Sequence, residues 1–84
     1  MGYVNIRVRF FATLREITQQ RDLPLDLPEG ASAEAAWQCL LRDYPTLRPH
    51  RDHLAVAINR SYADFDTALA EGDELAFVPP VSGG

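Results

Sequence analysis

Lysine is absent from this 84-residue chain, whose eight basic residues are all arginines. Without a side-chain amine, the chain offers no lysine at which the C-terminus of another copy could form an isopeptide bond. The net charge is −4, and it argues against nucleic acid as the main partner, because binding to phosphates depends on clustered positive charge.

Cysteine and histidine are also scarce. Cys39 is the single cysteine, so no internal disulfide can form and we expect a reducing, cytoplasmic environment. No histidine stands at a recognisable spacing from Cys39, which we therefore interpret as a packing or surface residue and not as a nucleophile. His50 and His53 are interpreted as solvated residues of a loop, because two histidines supply too few ligands for a structural zinc site. No bound metal is predicted.

Long hydrophobic runs are missing as well. A membrane span needs about 20 apolar residues and a secretory signal an apolar region of about 7–15, whereas the runs here are only a few residues long. The hydrophobic fraction of 46% nevertheless predicts a folded globule, and the length predicts one domain. We place that domain at residues 1–80 and a flexible tail at residues 81–84.

Alternating apolar and polar residues predict the strands of a sheet. Every second residue from Val4 to Phe10 is apolar, which predicts a half-buried strand. Residues 22–27 also alternate, but they include Pro24, whose missing N–H predicts an edge strand. Three more strands are predicted at 54–58, 62–65 and 74–78, with turns at 59–61 and 70–73.

One main helix is predicted in the middle of the chain. Ser32 is a candidate N-cap, Glu34 lies in the first turn, and Pro45 cannot continue the helix. A single apolar face is formed by Ala36, Trp37, Leu40, Leu41 and Tyr44. With a short helical turn at 13–19, the order of elements predicts an α+β roll: a mixed sheet of about five strands packed on one main helix, with the first and last strands parallel at its centre.

One helix covers only one face of such a sheet. Phe11 is out of phase with the inward residues of the first strand, and Val78 is out of phase if Leu75 and Phe77 point inward. Either Phe11 bends back to close an edge of the core, or the two residues form an apolar docking surface beside Arg7 and Arg9. We favour docking because of the tail that follows Val78.

The tail combines stiffness with an unhindered end. Pro79-Pro80 favours an extended conformation, and the four residues from Val81 to Gly84 reach at most ~13–14 Å. Gly83 and Gly84 permit passage through a narrow channel, although a frayed end or a cloning remnant would also end this way. The terminal carboxylate is an anion at neutral pH and a poor electrophile, so it would react only after activation, most simply as an acyl-adenylate. No phosphate-binding loop is found, and a separate enzyme would have to make that adenylate with ATP.

Three segments together carry a resemblance to a known family. FFATLRE at residues 10–16, EGDELAFVPP at 71–80 and the ending PPVSGG resemble the MoaD-type small subunits of molybdopterin synthase, within the MoaD/ThiS sulfur-carrier family. The resemblance runs over essentially the whole chain and is weakest at residues 19–53. It implies a ubiquitin-like β-grasp fold.

The resemblance also implies a function. An E1-like enzyme would adenylate the Gly84 carboxylate, a sulfur donor would convert it to a thiocarboxylate, and the tail would insert into the large catalytic subunit to give sulfur to cyclic pyranopterin monophosphate. Phe11, Val78 and Arg15 fall at partner-contacting positions, Pro79 to Val81 lead into the partner, and Ser82 stands where a small residue is expected. The chain itself would bind no cofactor and perform no catalysis. A heterotetramer with two large subunits would follow the family.

Three alternatives remain open. The chain could carry sulfur for thiamine formation or for tRNA thiolation, it could be a protein modifier joined through Gly84 to lysines of targets, or it could be a plain interaction domain. The Pro79-Pro80-Val81 pattern and the FFATLRE segment favour the molybdenum pathway.

Overall fold

The computed structural model describes residues 2–80, in which five strands and three helical segments follow one another. The strands are β1 (Tyr3–Phe10), β2 (Asp22–Pro28), β3 (Ala55–Ile58), β4 (Ser61–Ala63) and β5 (Glu74–Val78). The helical segments are α1 (Ala12–Thr18), α2 (Ala33–Asp43) and a 3₁₀ helix (Pro45–His53).

The five strands form one mixed sheet in the order β2-β1-β5-β3-β4. β1 and β5 are parallel neighbours at the centre, with Arg7 opposite Glu74 and Phe10 opposite Phe77, whereas all other pairs are antiparallel. A parallel pair needs a long crossover, and the chain from β2 to β4 provides it. The predicted central pair is confirmed, and so is the edge position of β2, which contains Pro24.

Helix α2 covers one face of this sheet. It begins as predicted, because the Ser32 hydroxyl accepts a hydrogen bond from the Ala35 N–H at 3.2 Å. Trp37 is buried under the sheet and meets Phe77 of β5 edge to face, with ring centroids 5.1 Å apart. Phe65 stacks on Phe77 with ring centroids 6.0 Å apart. This core confirms the predicted α+β roll on one main helix.

Two predicted segments were wrong in detail. The loop containing His50 and His53 is a 3₁₀ helix, started by Pro45 at a position where its missing N–H costs nothing and anchored by the buried Leu47. Of the two histidines, His53 is exposed as predicted, whereas His50 is half-buried.

The fourth strand ends at Ala63 instead of Phe65. The chain turns at Asp64, whose carbonyl accepts a hydrogen bond from the Thr67 N–H at 3.1 Å and whose N–H donates to the Thr67 hydroxyl at 3.2 Å. Phe65 therefore lies outside the sheet and packs on the face covered by α2, where it stacks on Phe77.

A charged cluster joins α2 to the 3₁₀ helix. Arg51 donates two hydrogen bonds to the Glu34 carboxylate, and its guanidinium carbon lies 3.4 Å from the centre of the Phe65 ring. These hydrogen bonds from Arg51, helped by one from Gln38, lower the pKa of Glu34 below its ordinary value of 4.5. The cluster holds the three segments of residues 33–65 together on the covered side of the sheet.

Within residues 2–80, no helix has the length and apolar character that crossing a bilayer requires.

Candidate functional site

The face of the sheet opposite α2 is called the open face here. Along β1 the side chains of Val4, Ile6 and Val8 are buried in the core, and those that alternate with them point the other way. Arg7 is exposed and Arg9 is half-buried on this open face. Polar residues at every second position of a central strand leave that face accessible to water or to a partner.

Phe11 projects outward from the end of β1. Its neighbours Phe10 and Leu14 are both buried, and the Leu14 N–H donates a hydrogen bond to the Phe11 carbonyl at 3.1 Å, which fixes the turn into α1. Phe11 has extended backbone and Ala12 has a φ of 51°, in the left-handed region. Phe11 is 39% exposed, which matches its place outside the inward alternation.

Val78 lies beside Phe11 because β1 and β5 are parallel and end at the same edge. Phe10 is opposite Phe77, so Phe11 and Val78 follow at matching positions, and Ala55 of β3 is opposite Val78 on the other side. Val78 is half-buried and Ala55 exposed. We call Phe11, Val78 and Ala55 the exit patch.

The chain leaves the sheet at the exit patch. Pro79, directly after Val78, is half-buried, and Pro80 is exposed. The predicted working residues Val81, Ser82, Gly83 and Gly84 lie outside the described residues. The parallel pairing therefore places Val78, after which the described chain runs through Pro79 to Pro80, at the same edge of the sheet as Phe11.

Arg15 lies on α1, one turn after the exit patch. Its side chain is exposed, and its carbonyl accepts the hydrogen bond from the Gln19 N–H that ends the helix, at 2.9 Å. Contact of Arg15 with a partner stays a prediction.

Tyr62 is an open-face residue that the sequence interpretation missed. The strand register places Arg9, Ala76, Ala57 and Tyr62 side by side across β1, β5, β3 and β4. Tyr62 is 79% exposed. Ala76 and Ala57, which lie between Tyr62 and Arg9, have small side chains that project little from the sheet. The turn predicted at 59–61 contains only Asn59 and Arg60, because Ser61 already belongs to β4. A two-residue hairpin turn fixes the register of its strands, so the correct turn length would have placed Tyr62 opposite Ala57.

Charged side chains complete the open face. Arg7 donates a hydrogen bond to Asp22 of β2 at 2.7 Å. The Glu74 carboxylate receives two longer contacts, from Arg9 at 3.7 Å and from Arg60 at 3.9 Å. An apolar patch next to charged groups is typical of a protein-binding surface.

Residues 2–80 form no pocket and no group of three or more His, Cys, Asp or Glu residues able to hold a metal ion. Cys39 is half-buried with no disulfide partner.

The fold and the tail exit agree with one family of proteins. The sequence model of the ThiS family matches residues 8–84, which include both the exit patch and the Gly-Gly end. The chain belongs to the ThiS family. The resemblance noted from the three sequence segments is thereby confirmed.

Relatives with known names agree with the family. The molybdopterin synthase sulfur carrier subunit of Arabidopsis thaliana is 36% identical over 81 residues, covering 96% of this chain and 84% of that protein. The crystal structure of SAMP1, small archaeal modifier protein 1, from Haloferax volcanii has a TM-score of 0.83 at 34% identity, covering 95% of this chain and 99% of that one. These likenesses confirm the predicted ubiquitin-like β-grasp fold.

A third likeness concerns fold alone. A chain in the complex of subunits 1 and 2 of the molybdopterin-converting factor from Helicobacter pylori 26695 has a TM-score of 0.67 at 24% identity, covering 96% of this chain and all of that one. The architecture is thus kept while the sequence changes widely.

Proposed function

We propose that this protein is a sulfur carrier for molybdenum cofactor biosynthesis, acting as the small subunit of a molybdopterin synthase. The observation that carries the proposal is the near full-length similarity to the Arabidopsis sulfur carrier subunit, in a chain whose Gly-Gly end follows the exit patch. The family match, which reaches residue 84, supports the same conclusion.

The working group is the Gly84 carboxylate. An E1-like enzyme joins a carboxylate oxygen to the α-phosphorus of ATP and releases pyrophosphate. Hydrosulfide supplied by a sulfur donor then attacks the carbonyl carbon, AMP leaves with the bridging oxygen, and loss of the sulfur-bound proton gives the thiocarboxylate. Adenylation is needed because the free carboxylate is an anion and does not accept a nucleophile. ATP is bound by the activating enzyme and not by this chain.

The charged tail then enters the large subunit. Pro79-Pro80 holds the chain extended as it leaves the exit patch, and Val81 to Gly84 add at most ~13–14 Å of reach. Ser82, Gly83 and Gly84 are small enough for a narrow passage. In the large subunit the thiocarboxylate gives its sulfur to cyclic pyranopterin monophosphate. The groups that catalyse this step belong to the large subunit, so the carrier is a non-catalytic component of a cytoplasmic complex.

The open face supplies the docking surface in this proposal. Phe11 and Val78 provide apolar area at the tail exit, and Tyr62 provides more at the far side of the sheet. Arg15 on α1 is exposed close to the same edge. Aromatic residues and arginines of this kind contribute most strongly to protein interfaces.

A second function is favoured by a specific likeness. The structural similarity to SAMP1 at 34% identity supports a role as a protein modifier joined through Gly84 to lysines of other proteins. Both functions begin with adenylation of Gly84, and they differ in whether sulfur or an amine displaces AMP.

Deletion of Gly84 tests the proposed carrier. The deletion moves the terminal carboxylate back by ~3.3–3.6 Å, and misplacement of ~1 Å already costs about 100-fold where positioning governs a reaction. We expect the truncated protein to keep its melting temperature and most of its affinity for the large subunit while losing sulfur transfer. Wild type and truncation are incubated with ATP, activating enzyme and a sulfur source, and the intact mass of each is measured.

The mass spectrum separates the alternatives. A carrier shows one oxygen of the C-terminal peptide replaced by sulfur, whereas a modifier shows Gly84 in amide linkage to a lysine of another protein. Sulfur on Cys39, or normal molybdopterin formation by the truncated protein, would refute the proposal.

A further inference from the structure

Two arginines of the open face share one carboxylate. Arg9 and Arg60 approach the same Glu74 oxygen, Oε2, at 3.7 and 3.9 Å. Both distances are longer than the 2.7–2.9 Å of a charge-assisted hydrogen bond. Within residues 2–80 these three groups therefore leave one positive charge without a close counterion, on a protein whose total charge is −4.

A neighbouring arginine shows what a satisfied pair looks like on the same surface. Arg7 lies two residues before Arg9 on the same face, and its Nη1 is 2.7 Å from Asp22 Oδ1. Arg7 and Asp22 thus neutralise one another in the free protein. Arg9 and Arg7 lie on the same strand and face the same side of the sheet, but of the two only Arg7 has a carboxylate oxygen within hydrogen-bond distance.

Arg9 is also linked to the exit patch. Its guanidinium carbon lies 5.6 Å from the centre of the Phe11 ring, within the range of a cation–π contact. The Arg9 side chain is 40% exposed, and its guanidinium lies between an aromatic ring and a shared carboxylate. A partner that covers Phe11 would also remove water from Arg9, and desolvation strengthens any ion pair formed there.

We propose that Arg9, assisted by Arg60, determines partner specificity by pairing with a carboxylate of the large subunit, and that Glu74 competes with that carboxylate. The inference rests on the proposed docking of the open face to the large subunit. A guanidinium suits this role because its planar fork binds a carboxylate with two parallel hydrogen bonds, which the Glu74 geometry does not provide. Docking would exchange the long shared contact for a close one.

Three single substitutions test the role of Arg9. Arg9→Gln removes the proposed contact and should weaken binding to the large subunit about tenfold, which corresponds to about 1.4 kcal/mol. Arg7→Gln changes the net charge by the same amount on the same strand, but we expect less than about a twofold change because Arg7 is already paired with Asp22. Glu74→Gln removes the competitor and should tighten binding about threefold.

Affinities are measured by titration calorimetry at low and high sodium chloride, with a circular-dichroism melt of each variant. If Arg9 forms an ion pair with the partner, the loss of affinity caused by Arg9→Gln should become smaller as the sodium chloride concentration rises. If that penalty is independent of salt, Arg9 acts only by orienting Phe11 and the inference is wrong. Equal effects of Arg9→Gln and Arg7→Gln, or weaker binding by a stably folded Glu74→Gln variant, would also overturn it.

Phe11→Asp separates this inference from the proposed docking. If Phe11→Asp abolishes binding while Arg9→Gln has no effect, docking stands and the role of Arg9 fails. If Phe11→Asp binds like wild type, the open face is not the docking surface and both fail.

Discussion

Truncation of Phe11 gives the most direct measure of the exit patch. A phenylalanine side chain buries about 200 Å² when fully covered, so the 39% that is exposed corresponds to about 80 Å². At about 25 cal/mol per Å², covering that area in a complex is worth about 2 kcal/mol. We therefore expect Phe11→Ala to weaken binding to the large subunit about 30-fold.

The same substitution also removes area that is already buried in the free protein. It should lower the free energy of unfolding by about 2–3 kcal/mol, less than the 3–5 kcal/mol of a fully buried phenylalanine. A small domain with a stability of about 5–15 kcal/mol stays folded after such a loss. Binding must therefore be titrated well below the melting temperature, which is first measured by circular dichroism.

Tyr3 provides the matched control. It lies on the same face of β1 and is 74% exposed, more than Phe11, but it is eight residues away, or about 26 Å along the strand. Tyr3→Ala removes an exposed aromatic ring far from the exit patch and should leave the affinity unchanged. If Phe11→Ala and Tyr3→Ala behave alike, or if Phe11→Ala binds at wild-type strength, the exit patch is not a docking surface.

Three predictions concern stability. Trp37→Ala should cost about 3–5 kcal/mol in a denaturant melt, because the side chain is 1% exposed and packs on Phe77; an unchanged midpoint would contradict this packing. Gln19→Gly should raise stability by about 0.5–1 kcal/mol, since Gln19 ends α1 with a φ of 60° that glycine adopts without strain. A lower melting temperature would show that the hydrogen bond donated by the Gln19 side chain to the Glu16 carbonyl, at 2.7 Å, matters more. The lowered pKa of Glu34 means that its ionised form stabilises the fold above pH 4.5 and that this contribution is lost as the pH falls below it. Urea melts from pH 7 to pH 3 should therefore give wild type a higher free energy of unfolding than Glu34→Gln at neutral pH, and the two values should converge in acid. A difference that stays constant with pH would exclude the ion pair with Arg51.

The central architecture could be predicted because each signal was local. Alternation in β1 separated inward from outward residues, and it showed Phe11 to be out of phase with the inward set, which fits its exposure of 39%. Ser32 carried a capping side chain at the start of the main helix, and Pro24 marked an edge strand. In these cases the physical cause lies within a few residues of the effect.

Other features depend on contacts between distant segments. The shared carboxylate of Glu74 needs the register of β5 with β1 on one side and with β3 on the other, and neither register is encoded in a short stretch of sequence. The 3₁₀ helix lacks a clear apolar period, and its two prolines suggested a loop. Ala12 adopts a positive φ with no glycine to signal it, because tertiary contacts of Phe10 and Leu14 hold the turn.

The parallel pairing of β1 with β5 has a consequence for synthesis of the protein. The centre of the sheet joins residues 7–10 to residues 74–77, so its closure has a very high contact order and cannot precede β5. A chain interrupted before Glu74 lacks the strand that connects β1 to β3, and with it Phe77, against which Trp37 packs. We therefore expect folding to wait for translation of β5, the strand that leads into the tail. Incomplete products that lack β5 should stay unfolded and be degraded by proteases, and they should not compete for the partner as carriers without a tail.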